Sequence, residues 1–379
     1  RSYKYLRNTE QYLSPLGESH SLRVNKGDLI MSICATVGKP IIVDMAACIH
    51  DGFVQIYDID NVDTEYLFYL LQYHEKDFEK RGQPGTQVNL NTTIVESELV
   101  FVPKNFFDQQ KIAKILTTVD NLIEKTQALI TKYTAIKQGM MHDLFTRGID
   151  IATGQIRPSY EQAPELYKET ELGWVPREWG VSLLDTLAER GSGHTPNKSH
   201  PEYWNGGVKW VSLADSSKLD NLYVSDTDKN ISELGIINSS AVKHPRGTVI
   251  LSRDAGIGKS AVLFEEMAVS QHFMAWRCGN RMDSYFLYFW MQYSKPKFEA
   301  IAMGSTIPTI GLGFFKRLKI AAPHIKEQQK IGMMFLKVHE FISVLESDLD
   351  QHTKIKKGLM QDLLTGRVRV SGSDEVANA

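Results

Sequence analysis

The sequence predicts an α/β (α+β) protein with a pseudo-two-fold repeat, in which two globular domains are separated by two long antiparallel coiled-coil helices. Three observations predict this fold. The 379-residue chain carries the same motifs twice, about 220 residues apart. Each copy combines short strand and turn segments with one helix. Each copy then ends in a long run of apolar residues at heptad spacing.

The two globular segments are internal duplicates. The first, 1–105, reads as short strands and turns with one helix near Thr64–His74. The same order recurs in the second, where identical residues share one offset. These are Ser32, Ala35, Gly38, Lys39, Leu67, Gln72 and Tyr73, which match Ser252, Ala255, Gly258, Lys259, Leu287, Gln292 and Tyr293. The alignment puts Arg1 near Asn221, so the first copy is expected to be N-terminally incomplete.

Two long spacer helices are predicted at 106–147 and 326–367. Their apolar or tolerated residues recur in alternating steps of three and four, the period of a helix packed lengthwise on a partner. The predicted seams are Ile112, Ile115, Val119, Leu122, Thr126, Leu129, Tyr133, Ile136 and Met140, and Ile331, Met334, Val338, Phe341, Leu345, Asp348, His352, Ile355 and Leu359. Roughly 38 helical residues make a rod of about 55 Å. The pair is therefore interpreted as a spacer, and a coiled coil that dimerises two chains is the alternative.

The remaining segments are assigned from composition. Residues 148–172 contain Gly154, Pro158 and Pro164 without apolar periodicity and are predicted to be a linker. The second globular segment follows at 173–325, and the polar tail 368–379 is expected to be flexible. We found no apolar run of the roughly 18 residues that a membrane span needs. The N-terminal residues also lack the plan of a signal peptide, so a cytoplasmic protein without a membrane partner is expected.

Charge gives only local support for nucleic-acid binding. The net charge is −2, whereas nucleic-acid binders are usually strongly basic. Residues 241–320 carry 11 Lys and Arg against 5 Asp and Glu, but 21–105 carry 7 against 12. Any DNA contact in the first copy must therefore rest on a few groups. Cys34, Cys48 and Cys278 lack metal-ligand spacing, so we expect reduced thiols and no metal site.

The stretch 253–260 ends in Gly-Lys-Ser and resembles a phosphate-binding loop. The first glycine of that motif is Arg253 here, and the first copy lacks a hydroxyl residue after Lys39. We instead predict a strand-turn-strand whose glycine has a positive φ and whose Lys39 or Lys259 projects from the turn. A nucleotide hydrolase built around Gly258, Lys259 and Ser260 is the enzymatic alternative. We found no catalytic constellation that recurs in both copies.

Exposed polar loop residues are the candidates for reading DNA bases and phosphates. Trp204 and Trp210 near them are interpreted as core anchors. Polar side chains differ between equivalent loops of the two copies, as two reading heads for different base sequences would need, although neutral drift explains such differences as well. The predicted DNA-binding residues are Lys39, His50, Gln83, Thr86, Gln87, His194, Thr195, Lys209, Ser212, Arg253, Lys259, Gln271, His272, Ser305 and Thr306.

The repeat and the ends of its helices resemble the specificity subunit of type I restriction-modification systems. In the first copy, the resemblance rests on Phe101-Val102-Pro103, residues 109–116 with Asp120, and residues 136–146. In the second copy, it rests on residues 357–367 at the end of the helix. Residues 173–176 with Trp179, 194–196, 201–204 and 210–212 look like the opening of a target-recognition domain.

The resemblance implies two target-recognition domains, 1–105 and 173–325, that each read half of a bipartite target in double-stranded DNA. The two helices would fix the gap between the half-sites and dock two methyltransferase subunits, and restriction subunits would join the full complex. S-adenosylmethionine, ATP and magnesium would serve those partners, so this chain is expected to be non-catalytic and to hold no cofactor. A coiled-coil assembly scaffold without direct DNA reading is the alternative.

Overall fold

The computed structural model describes residues 4–81, 90–302 and 309–370. The chain divides into two compact units: unit 1 contains residues 1–129 and 345–379, and unit 2 contains residues 130–344. Each unit therefore combines one globular segment with a part of each long helix. The mixture of helices and strands and the two long helices confirm the predicted fold class.

Unit 1 is built on a four-stranded sheet. Its elements are β1 (Tyr5–Leu6), α1 (Pro15–Ser19), β2 (Leu22–Val24), β3 (Leu29–Ser32), β4 (Pro40–Val43), β5 (Ala47–Ile49), β6 (Phe53–Ile56), α2 (Thr64–Arg81), α3 (Thr92–Glu96) and the first part of α4 (Phe106–Thr146). The strand order is β1-β4-β3-β6, with β1 parallel to β4 and the other neighbours antiparallel. Strand β3 is an apolar run buried on both faces, which lets α2 pack on the sheet.

Unit 2 contains a five-stranded sheet and a four-stranded sheet. Its elements are β7 (Tyr167–Thr170), β8 (Gly173–Pro176), β9 (Gly180–Leu183), α5 (Leu184–Leu187), β10 (Ala188–Ser192), β11 (Trp204–Val211), β12 (Tyr223–Val224), β13 (Lys229–Ile231), α6 (Glu233–Ile237), β14 (Lys243–His244), β15 (Val249–Ser252), β16 (Ser260–Leu263), β17 (Met267–Val269), β18 (Phe273–Cys278), α7 (Ser284–Ala302), α8 (Leu312–Lys316), β19 (Lys319–Ala322) and the first part of α9 (Ile325–Leu364). One sheet has the order β10-β18-β15-β16-β12, and the other β13-β11-β17-β14.

The sheets show the duplication directly. The order β12-β16-β15-β18 in unit 2 repeats β1-β4-β3-β6 in unit 1, including the parallel pair at one edge. The pair β14-β17 likewise repeats β2-β5. Helices α7 and α8 correspond to α2 and α3. The same capping contact begins α2 and α7, because Asp63 and Asp283 each accept a hydrogen bond from the backbone N–H three residues later, at 2.9 Å.

Residues 148–172, which the sequence predicts to be a linker, contain ordered structure. Strand β7 pairs with β8 as a hairpin, and Ile149 bridges Ile156. The Arg157 guanidinium is buried against the Glu327 carboxylate at 2.6 Å. The linker prediction followed from missing apolar periodicity, and this segment is anchored by a buried ion pair and a hairpin instead.

The two long helices pack antiparallel within each unit. In unit 1, Ile112 and Leu116 of α4 share a core with Leu363 of α9. In unit 2, Phe145 near the end of α4 stacks on Phe335 near the start of α9, with ring centroids 5.2 Å apart. The predicted antiparallel pairing is thus confirmed inside both units.

In each predicted seam, four of the nine positions lie one residue away from the observed seam position. Positions Ile112, Val119, Thr126, Tyr133 and Met140 of α4 face the partner as predicted. The positions between them are Leu116, Ile123, Ile130, Lys137 and Leu144, in place of Ile115, Leu122, Leu129 and Ile136. Helix α9 shows the same shift, to Phe335, Ile342, Leu349, Lys356 and Leu363. Leu122, Leu129 and Ile136 are instead about 40% exposed, at 43%, 40% and 39%.

Candidate nucleic-acid interface

Several predicted DNA-binding residues lie together at one end of the five-stranded sheet. Strands β10 and β15 end there, and β18 begins there, because Ser192 pairs with Met274 and Ser252 pairs with Phe273. The loops that continue these strands form what we call the loop edge, residues 193–195, 253–254 and 270–272. The loop edge is therefore positioned by three neighbouring strands of a buried sheet, which makes it a firm platform for exposed polar groups.

Side-chain hydrogen bonds connect the three loops. The Thr195 hydroxyl donates to Gln271 Oε1 at 2.5 Å, and His272 Nδ1 lies 2.8 Å from Asp254 Oδ2. Backbone contacts fix the same loops, since the Arg253 N–H donates to the His272 carbonyl at 3.0 Å. Gln271 is exposed, and its Nε2 lies 3.5 Å from His272 Nε2, so the other N–H of Nε2 and the second lone pair of Oε1 can still meet a ligand. An amide in this state can read adenine in a bidentate manner.

The backbone of the loop edge recurs in unit 1, but its side chains do not. The Ile33 N–H donates to the Gly52 carbonyl at 2.9 Å, as Arg253 does to His272. His50 lies in the β5–β6 turn, which corresponds to the β17–β18 turn that carries Gln271. His50 is exposed and accepts a hydrogen bond from the Gly52 N–H at 2.8 Å. Equivalent turns of the two units therefore carry different side chains.

The predicted strand-turn-strand motifs are present, but their lysines do not project from the turns. Gly38 and Gly258 have φ values of +79° and +80°, as predicted. Lys259 Nζ, however, donates to the Ser216 carbonyl at 3.0 Å, and Lys39 Nζ lies 3.7 Å from Glu75. An ammonium group is stabilised by a nearby hydrogen-bond acceptor or negative charge. Each of the two lysine side chains folds back toward such a group.

Two further candidates lie away from the loop edge or are buried. Lys209 binds Glu265 and the Ser225 carbonyl, at the opposite end of β16. Ser212 is 8% exposed and forms a capping box with Asp215. Its role is to begin a short helix, so the structure argues against base reading by Ser212.

The other candidates are His194, Arg253 and five residues outside the described ranges. His194 is exposed, and its carbonyl accepts from the Trp210 indole at 3.0 Å. The Arg253 side chain donates from Nε to the Ile310 carbonyl at 3.1 Å. Gln83, Thr86, Gln87, Ser305 and Thr306 lie outside the described residues.

Two residues that shape the loop edge are not among the predicted DNA-binding residues. Asp254 orients the His272 imidazole. The indole N–H of the buried Trp210 donates to the His194 carbonyl and so fixes that loop. Trp210 is a predicted core anchor, and its 5% exposure confirms the prediction. Asp254 precedes Ala255 in the turn, so only its position beside a strand end could have drawn attention to it.

Within 4–81, 90–302 and 309–370, no group of three or more His, Cys, Asp or Glu residues could hold a metal ion. The three cysteines are free thiols. Burial raises the pKa of the Cys278 thiol to about 12. Among the described helices, none has both the length and the apolar character of a membrane span.

Both halves of this chain are similar in sequence to known proteins. The family model described as "Type I restriction modification DNA specificity domain" matches residues 1–132 and 176–352. The putative type I restriction enzyme MjaX specificity subunit of Methanocaldococcus jannaschii is 24% identical over 319 residues, which cover 82% of this chain and 69% of that protein. The MjaVIII specificity subunit of the same organism is 25% identical over 363 residues, covering 92% and 80%.

A solved structure shows the same fold. The type I restriction-modification S subunit from M. genitalium superposes with a TM-score of 0.63 at 14% identity, covering 96% of this chain and 88% of that chain. At this identity the likeness concerns the fold alone, whereas the family match spans most of the sequence. The chain therefore belongs to the family of type I restriction modification DNA specificity domains, with one matched segment in each half.

Proposed function

We propose that this chain selects a bipartite DNA sequence for a type I restriction-modification complex. The loop edge of unit 2 reads one half-site, and the equivalent turns of unit 1 read the other. Methyltransferase and restriction subunits catalyse the reactions, and this chain selects the DNA site at which they act. The observation that carries the proposal is the family match in both halves, combined with an exposed cluster of hydrogen-bonding side chains at a strand-end platform.

The geometry of Gln271 supports direct base reading. Thr195 holds its amide oxygen, so the side chain is oriented before DNA arrives and loses less freedom on binding. The weak overall basicity remains compatible with DNA binding if partner subunits supply much of the phosphate attraction. Binding should then depend on salt through the whole complex.

Replacing Gln271 by alanine is expected to weaken binding to the cognate duplex by about 1–3 kcal/mol, which is roughly 5- to 150-fold. Binding to random duplex should change little, because phosphate contacts carry non-specific affinity. The measurement is a competition assay on the complex reconstituted with its methyltransferase subunits, after methylome sequencing has identified the target.

The control for this experiment is Gln155→Ala, which removes an exposed glutamine outside the loop edge. It should leave both affinities unchanged. Equal affinity of the unaltered complex for cognate and random duplexes would contradict the proposal and favour an assembly scaffold that does not read DNA.

Exposed apolar residues on the long helices support partner docking. Leu122, Leu129 and Ile136 follow one another at seven-residue spacing along α4, so they form a stripe on one face. Phe341 and Ile355 occupy the equivalent face of α9 and are 42% and 49% exposed. Apolar stripes of this kind mark contact surfaces for other polypeptides.

The double change Leu122→Glu and Leu129→Glu is therefore expected to reduce co-purification of a methyltransferase subunit at least about tenfold, since two charges would have to be desolvated at the contact. Co-expression followed by affinity capture measures this. Ala128→Glu, an exposed position between stripe residues, is the control and should retain the subunit. Retention by the double variant would show that the stripe is not the docking face.

A further inference from the structure

Two lysines occupy the apolar seam between the long helices. Lys137 of α4 and Lys356 of α9 stand at equivalent positions, 219 residues apart, where the neighbouring seam positions are mostly apolar. The Lys356 side chain is only 16% exposed. A lysine in such a place must find acceptors on the facing helix, and single polar seam residues are known to select one register of a coiled coil.

In unit 1, Lys356 is held by three groups. Its ammonium lies 2.7 Å from Asp120 of α4 and donates to Gln72 of α2 at 2.9 Å. The Tyr69 ring lies beneath it, 5.4 Å from the nitrogen. The Tyr69 hydroxyl donates to the other oxygen of Asp120 at 2.8 Å. Burial raises the pKa of Tyr69, so this hydroxyl keeps its proton.

In unit 2, Lys137 repeats this arrangement with a different acceptor. Its ammonium lies 3.2 Å from His339 Nδ1 and 5.4 Å from the centre of the Phe289 ring. His339 is 219 residues after Asp120, and Phe289 corresponds to Tyr69. Burial, and then the charge of Lys137, lower the pKa of His339 to about 4. The imidazole is therefore neutral at pH 7 and can accept a hydrogen bond from the ammonium.

These two pairs oppose any slip of the helices by one heptad. A slip of seven residues would keep the apolar positions in register with one another. It would, however, move Asp120 opposite Leu349 or Leu363, depending on direction, and His339 opposite Ile130 or Leu144. In either case a carboxylate that is now 17% exposed would lose its ion pair with Lys356 and face a leucine instead.

We propose that Lys356 with Asp120 and Lys137 with His339 lock the register of the helix pair and thereby determine which gap between DNA half-sites the chain accepts. The inference rests on the proposed function. A slip of one heptad would shift one helix along the other by about 10 Å. At about 3.4 Å per base pair, this corresponds to roughly three base pairs. The lysine pairs are positioning residues, and the loop edges remain the groups that touch bases.

The test replaces both pairs by leucine in the reconstituted complex, giving Asp120→Leu, Lys137→Leu, His339→Leu and Lys356→Leu. Well-packed apolar residues in place of a buried ion pair usually preserve or increase stability, and replacing both partners of a hydrogen bond by apolar groups is nearly neutral, so thermal unfolding should show a folded protein. Methylation of a DNA library with the two half-sites at varied gaps should then show at least a tenfold loss of preference for the native gap over gaps about three base pairs shorter or longer.

Two further variants keep the test decisive. Asp350→Leu with Lys354→Leu removes an exposed ion pair on α9, at 2.6 Å, and should leave the gap preference unchanged. The exchange Asp120→Lys with Lys356→Asp reverses the pair in unit 1 and should retain the native gap even if the fourfold variant does not fold. A folded fourfold variant with undiminished gap preference, or a reversed pair that relaxes it, would overturn the inference. If the unaltered complex showed no preference for any DNA sequence, the proposed function itself would be refuted.

Discussion

Replacing Glu327 by alanine is expected to lower the free energy of unfolding by about 3–5 kcal/mol, because it leaves a buried arginine without its main counter-charge. Glu327 Oε1 and Oε2 accept from the two terminal nitrogens of Arg157 at 2.6 and 3.1 Å. The same carboxylate accepts from the Ile149 N–H at 2.9 Å and the Trp179 indole at 3.3 Å. The Glu327 carboxylate, near the start of α9, thus accepts hydrogen bonds from three residues that precede it in the chain.

Urea denaturation followed by tryptophan fluorescence measures this loss. Glu178→Ala is the matched control, since Glu178 binds the same Arg157 at 3.0 Å but is 79% exposed. Its removal should cost less than about 1 kcal/mol, as for other exposed ion pairs. Equal effects of the two substitutions would show that Arg157 does not depend on the buried carboxylate.

The duplication could be predicted from sequence because identical residues at one offset leave little ambiguity. The exact positions of the seam could not be predicted, because neighbouring residues in the sequence are both apolar. Ile115 and Leu116, Leu122 and Ile123, and Leu129 and Ile130 are adjacent apolar pairs, so steps of three and four fit equally well. In α4, Ile136 and Lys137 form the pair that discriminates between the two phases, and the lysine favours the wrong one, whereas Asp348 beside Leu349 in α9 favours the observed phase.

Lys137 lies in the seam because His339 and the Phe289 ring stabilise its ammonium group. The pattern of apolar residues along the sequence does not reveal such partners. The same limit explains why Arg157 was assigned to a linker. Buried charges depend on residues far away in the chain, here 170 positions for Arg157 and Glu327. Sequence periodicity detects apolar burial and overlooks burial of this kind.

The loop edge shows a similar division. Turn-forming residues and the repeat correctly indicated that Thr195, Gln271 and His272 follow or precede strands. Their mutual contacts arise because β10, β15 and β18 are neighbours in the sheet, which is a matter of topology. Lys209 and Lys259 were chosen for their charge, yet local acceptors hold both. Charge alone is therefore a weaker guide to this site than strand-end position.

Gly193→Ala is expected to have the second large effect, because the chain passes directly over the end of β17 at this residue. A Cβ atom on Gly193 would lie 1.8 Å from the Val269 carbonyl oxygen and 2.5 Å from that of Ser270. Both are backbone atoms, so no side-chain rotation can relieve the overlap. The loop must lift away and stretch the hydrogen bond from the His194 N–H to Val269, now 3.1 Å.

We expect Gly193→Ala to lower the free energy of unfolding by about 3 kcal/mol, at the upper end for overpacking. Gly193→Ala should also weaken binding to the cognate duplex more than Gln271→Ala does. It displaces the backbone that carries Thr195, and the Gln271 amide then loses the hydrogen bond that orients it. Gly279→Ala is the control in both measurements, because open space surrounds that position and its substitution should change stability by less than about 0.5 kcal/mol. If the two alanine variants unfold at the same urea concentration, the loop is free to move. A pre-positioned reading head would then be excluded, because the contacts at Gln271 would have to form only when DNA binds.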